Sequence, residues 1–221
     1  PTEERDYYTL VTMGMGAHAM HVPDELAGQR LDRAELAIAL PADWRPEGLE
    51  DERRYWPIRL LKDLARLPIT CDTWLGWGHT MDNQHPFAED TDLCGALLVA
   101  PQGAGEGAET CVLPGGTEIC FYQVIPLYRD EMEYAQRQGS EALLERLAEV
   151  SFVVDPHRPD VMEGEGAPAD WVLDDGAAHL ECLREKGLPV DELAAYSHLA
   201  IYLRWCMEQD LMSLEFLERC W

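Results

Sequence analysis

The sequence predicts an α/β fold of the mixed α+β kind followed by a small α-helical C-terminal region, and three observations predict it. Strand-like runs rich in β-branched and aromatic residues alternate with helix-spaced runs from Tyr7 to Val150. A stretch rich in Pro and Gly, residues 155–170, then breaks the pattern. Beyond it the apolar spacing is helical only.

The first run, Tyr7 to Met13, consists of β-formers and stops at Gly14, so it reads as a strand. Ala34 to Leu40 (AELAIAL) alternates and is halted by Pro41, a second strand. Trp56 to Leu67 sets Ile58, Leu60, Leu61, Leu64 and Leu67 near helical spacing. Pro57 suits a first helical turn, and Pro68 is expected to end the helix. Leu93 to Ala100 is an apolar strand running into a Gly-rich loop at 102–108. Glu118 to Tyr128 (EICFYQVIPLY) has the composition of a central strand. Asp130 to Ala135 and Ser140 to Val150 read as helices. The second has Ser140 as N-cap and Leu143, Leu144, Leu147 and Val150 as its buried stripe.

In the C-terminal region, Ala177 to Lys186 reads as a helix stopped by Gly187. Asp191 caps a long amphipathic helix reaching Gln209, whose face of Leu193, Tyr196, Leu199, Leu203, Cys206 and Met207 is expected to dock on the main domain. Ser213 starts a last short helix. The expected organisation is a domain over 1–158, a linker over 159–170 and a helical module over 171–221. The chain opens without Met and runs almost directly into a strand, so N-terminal residues are expected to be missing.

Charge is the strongest global signal: 42 acidic against 17 basic residues among 221, a formal net charge of −25. Such a surface repels phosphate backbones and anionic lipid, so neither nucleic acid nor a membrane is expected as partner. It attracts a basic protein and speeds the encounter; the plainer alternative is solubility alone. No stretch approaches the ~18–20 apolar residues that span a bilayer. The polar, charged Pro1 to Asp6 is no secretory signal. The cysteines, seven in number, form no CxxC pair, and Cys120 and Cys206 lie in apolar patterns, which points to a reducing cytoplasm.

Six pieces in a fixed order carry a resemblance: LVTMGMGAHAM (10–20), AELAIALPADW (34–44), YWPIRLLKDLARLP (55–68), DTWLGWGHT (72–80), PFAEDTDLCGALLVAP (86–101) and ICFYQVIPLYRDEMEYAQRQGSEALLERL (119–147). Residues 7–158 resemble the suppressor-of-fused domain in its bacterial branch. HLAIYLRWCMEQDLMSLEF (198–216) looks like a short helical module appended to some bacterial relatives. The resemblance implies a layered domain with a central mixed sheet flanked by helices, without catalytic activity or cofactor. In animals the family member grips a peptide segment of zinc-finger transcription factors. Bacterial relatives are placed among immunity proteins that neutralise polymorphic toxins. The tail here is shorter than the second domain that completes the animal clamp, so that clamp is not carried over.

Within the chain, residues 71–85 (CDTWLGWGHTMDNQH) concentrate the chemistry in a loop-like stretch. Asp72, Trp74, Trp77, His79, Asp82 and His85 combine aromatic anchors with polar groups, the composition of a protein-binding hot spot. The plainer reading packs Trp74 and Trp77 into the core and uses Asp72 and His79 to brace a turn. His18, His21, His79 and His85 are possible zinc ligands by type, but HExxH is absent and no metal is expected. Cys71, His79 and Asp82 are the residues a hydrolase would use; the few serines sit in no GxSxG. The glycines at 103, 105 and 107 precede a strand and lack GK[ST], so they cradle no phosphate.

The sequence therefore reads first as a non-enzymatic protein-binding module, an immunity-type inhibitor of a basic toxin domain. The alternatives are a hydrolase built on Cys71, His79 and Asp82, and a regulatory scaffold that holds a peptide by strand addition. Partner identity, interface and oligomeric state are not written in the sequence.

Overall fold

A strand with apolar residues on both faces must lie inside a sheet covered on both sides, and three strands here have that character. The computed structural model describes residues 6–45, 50–105 and 107–163, with residue 204. The chain divides into two compact units, Pro1–Gly166 and Ala167–Trp221, and every described residue but Arg204 lies in the first. The helices expected at 177–186, 191–209 and from 213 lie outside the described residues, Arg204 excepted.

Six strands form one mixed sheet: β1 (Tyr7–Val11), β2 (Ala34–Pro41), β3 (Thr80–Asp82), β4 (Gly95–Val99), β5 (Thr110–Val112) and β6 (Glu118–Leu127). Their order is β1-β2-β6-β4-β3, with β5 paired to the start of β6. β2 and β6 run parallel, Ala34 opposite Cys120 and Ala37 opposite Gln123; every other pairing is antiparallel. The alternating pattern of β2 implies one wet face, yet all its residues but Pro41 are buried. Leu36, Ile38 and Leu40 fill one face, and the alternate positions Ala37 and Ala39 are small enough to be covered closely on the other. β3 and β5 are not among the strands that the spacing predicts. At three residues each they are too short to show a period.

One face of the sheet packs on α1 (Glu52–Cys71) through Trp56, Leu60, Leu61 and Leu64. On the other face Leu97, Val99, Ile125 and Leu127 meet α2 (Arg129–Gln138) and α3 (Ser140–Arg146) through Met132, Ala135 and Leu143. Two layers of helix thus enclose the sheet. α1 starts earlier than its spacing implies because Asp51 caps it, accepting from the Arg53 N–H at 3.1 Å. Nor does Pro68 end it. The missing N–H forgoes one bond to the Leu64 carbonyl, in the last turn, where the ring is buried and the helix stops within a turn. Ser140 is not an N-cap either: Gly139, at φ 91°, precedes the helix, and the Ser140 hydroxyl is used elsewhere.

Two buried glutamates fasten loops to this frame. Glu35 on β2 accepts from the Thr12 hydroxyl at 2.5 Å and from the Gly14 and Gly16 N–H groups at 2.8 and 3.0 Å. Gly14 turns with φ 106°, and a Cβ at Gly16 would sit 2.9 Å from Ile119, so this tight turn suits glycine. Glu131 on α2, fully buried, takes two bonds from the Arg158 guanidinium at 2.6 and 2.5 Å and one each from the Tyr128 and Val161 N–H groups. Arg158 also donates to the Pro126 carbonyl and lies over the Tyr128 ring. The Pro-rich stretch that reads as a linker from 155 is therefore packed on the domain at its start. Val153 bridges to Ala39, and Val154 and Met162 are buried.

Among the described residues Cys71, Cys94, Cys111 and Cys120 are unpaired thiols. No described helix is long and apolar enough to cross a membrane.

Candidate functional site

The segment after α1 leaves the helix through a left-handed residue. Asp72 adopts φ 48°, ψ 52°, and its N–H bonds to the Pro68 carbonyl, closing the last turn. Its carboxylate is left exposed and meets His21 Nδ1 at 3.2 Å. Trp74 follows, half-buried, its ring edge-on to His79 with centroids 4.3 Å apart. Burial pushes the His79 pKa below its ordinary value, although a hydrogen bond to the Trp74 backbone pulls the other way. His79 is thus a packed ring whose surroundings favour its neutral form.

Between these two residues the chain makes a pinned turn. The Gly78 N–H donates to the Leu98 carbonyl at 2.7 Å, and the Gly78 carbonyl accepts from the Ser140 hydroxyl at 2.6 Å. The His79 N–H closes onto the Gly76 carbonyl, and Gly78 sits at φ 79°. A Cβ on Gly76 would fall 2.4 Å from the Trp74 ring. The residue left at the crest is Trp77, 44% exposed. The two tryptophans therefore part company: Trp74 packs against the core and Trp77 faces water.

Further on, 80–82 is the edge strand β3 rather than loop. Asp82 accepts from Arg129 Nη1 at 2.7 Å and from the Gln84 N–H at 2.6 Å. Burial pushes the Asp82 pKa up, but these bonds outweigh it and hold the carboxyl below its ordinary value. At His85, Nδ1 and the backbone carbonyl accept from the Asn83 amide at 2.9 and 2.7 Å.

Of the six predicted residues, Trp74 and His79 meet ring against ring, and no hydrogen bond between side chains and no ion pair joins any two of the six. Asp72 turns to His21 and Asp82 to Arg129. No hydrogen bond joins any two of Cys71, His79 and Asp82, so the arrangement a nucleophilic hydrolase needs is not assembled. Among the described residues no three His, Cys, Asp or Glu side chains converge to hold a metal ion. His21, His79 and His85 each have a different partner.

What reading residue by residue missed is a charged concavity beside this segment. Glu50, Glu52, Glu89 and Asp92 line an open hollow of about 770 Å³ between the start of α1 and residues 86–92. A separate, smaller cleft lies between α1 and β3, with Asp63 and Asp82 on its walls. The cations here are already matched: Arg53 pairs with Asp51, Arg59 with Glu52 and Arg129 with Asp82. Glu50, Asp63, Glu89 and Asp92 have no ion-pair partner among the described residues. Only the fold could reveal this, because it joins residues from three separate stretches.

Comparison with known proteins agrees with this architecture. A protein of Ureaplasma parvum serovar 3, itself uncharacterised, is 26% identical over 141 residues, covering 64% of this chain and 66% of that one. The crystal structure of Drosophila Suppressor of Fused superposes with a TM-score of 0.52 at 18% identity, over 71% of this chain and 39% of that chain. The Sufu–Fu complex crystal structure gives 0.52 at 19%, over 71% and 70%. At such identities the likeness is one of fold, and this chain spans about two fifths of the Drosophila protein. A domain of unknown function, DUF7832, matches residues 172–221. The model of the Suppressor of fused protein (SUFU) matches residues 1–159, and the chain belongs to that family.

Proposed function

We propose that this chain is a non-enzymatic protein-binding module, an immunity-type inhibitor that recognises a basic toxin domain through the acidic flank of α1 with Trp77 as its aromatic anchor. The observation that carries the reading is the hollow lined by Glu50, Glu52, Glu89 and Asp92, where Arg53 is paired with Asp51 and Arg59 with Glu52, which leaves Glu50, Glu89 and Asp92 without a counter-ion among the described residues. In a chain of net charge −25 this flank offers a concave negative surface to Lys and Arg side chains. A rigid, half-exposed indole is what an interface uses to anchor, since it contributes large apolar area at small entropic cost. The Sufu–Fu complex, a relative of the same fold bound to a protein, is in keeping with a binding role.

The test is affinity capture from the native host with the intact chain, alongside Glu89→Lys/Asp92→Lys and Trp77→Ala. The wild type is expected to retain a basic polypeptide whose toxicity it suppresses on co-expression, and both variants to lose it. Capture of no basic polypeptide, or capture indifferent to both variants, would defeat the reading.

A further inference from the structure

On its other side α1 forms a groove of the opposite character. Leu10, Val11, Met13 and Met15 from β1 and the turn after it face Ile58, Leu61 and Ala65 across an open space of about 440 Å³. No described carboxylate lines it, and its polar edge is Lys62 and Arg66. Met13 is 96% exposed and Val11 45%, so the apolar surface is open to solvent. Glu35 holds the turn that presents Met13, which keeps that side chain displayed rather than folded inward.

The cations are the unexpected part. They stand four residues apart on one helix face, where like charges repel. The Lys62 ammonium bonds only the Tyr55 hydroxyl at 2.9 Å, above that ring. The Arg66 guanidinium has no hydrogen bond or ion pair among the described residues. In a chain with 42 acidic and 17 basic residues, two cations side by side on an apolar groove without a carboxylate are conspicuous. An occupant must supply apolar side chains and a negative edge.

We propose that this groove docks an amphipathic helical segment of a partner protein, with apolar side chains on one face and Asp or Glu along the edge that meets Lys62 and Arg66. The groove is open rather than enclosed, which suits a helix laid in it better than a small ligand. Two methionines in the lining give it the adaptability such sites use. This inference is independent of the basic-partner reading, because its charge preference is the reverse and its residues are different.

Two labelled synthetic helices of about 15 residues, sharing one Leu/Met face but edged with Glu or with Lys, are titrated against the intact chain. The Glu-edged peptide is expected to bind at least about tenfold more tightly, against the order that net charge alone dictates. Lys62→Glu/Arg66→Glu should reverse the order, and Met13→Asp should weaken the Glu-edged peptide about tenfold. All three residues are exposed, and unchanged far-UV circular dichroism confirms folding. Tighter binding of the Lys-edged peptide to wild type overturns the proposal. So does Glu-edged binding that ignores both variants, and so does uptake of dodecanoate with no peptide binding, which marks a site for small amphiphiles.

Discussion

The two flanks of α1 differ by a small rotation of the same helix. Arg59 and Asp63 look toward β3, while Lys62 and Arg66, three residues along, look toward β1. Among the described residues lining the β3 side the cations are matched and carboxylates are left over; on the β1 side carboxylates are absent and cations are left over. A net charge of −25 describes the first flank and misdescribes the second. The lesson is that a summed charge sets the far field, whereas the residues lining one groove set what settles there.

The comparison breaks most readily at the frame beneath it. α2 carries Arg129 to the acidic flank and depends on Glu131, which has no exposure of its own. Arg158→Ala leaves that carboxylate buried without its counter-ion and should cost about 3–5 kcal/mol, read from urea unfolding. A loss under about 1 kcal/mol would mean that the clasp does not hold.

The β1 flank depends on Glu35, which has neutral donors only. Glu35→Ala strands the Thr12 hydroxyl and two glycine N–H groups and should cost about 2–3 kcal/mol. It should also speed amide exchange over residues 12–16; protection unchanged there would show that the turn holds without it.

The smallest effect belongs to the pinned turn that carries Trp77. Because burial depresses the His79 pKa, the unfolded chain takes up its proton first as pH falls below 6.5. Stability contributed by the neutral ring is therefore present at pH 7 and is lost between 6.5 and the lower folded value. His79→Gln should flatten the pH dependence of the urea midpoint in that window. An identical slope would mean that His79 is not the group responsible.

Much of the fold is legible in the sequence, and the failures share a cause. Long apolar runs announce β2, β4, β6 and α1, because their periods extend over many residues. β3 hides inside a stretch rich in Gly and His, three residues whose strand character comes only from pairing Thr80–Asp82 with Gly95–Leu97. Trp74 and Trp77 look alike in sequence, and only the glycine turn and Ser140 separate an inward ring from an outward one. Nothing in the sequence singles out Glu35, Glu131 or Arg158, because the partners lie far along the chain: Gly14 and Gly16 for Glu35, and Glu131 and Arg158 for each other. Both grooves join residues distant along the chain, and no local pattern announces them.

The parallel pairing of β2 with β6 has a consequence for how the molecule comes into being. Ala34 meets Cys120 only after more than eighty intervening residues have been made, and closing so long a loop is entropically costly. The centre of the sheet cannot assemble from the N-terminal portion alone. A nascent chain released before Cys120 would leave Ala34 to Ala37 without a neighbouring strand on that edge, a ready target for proteolysis.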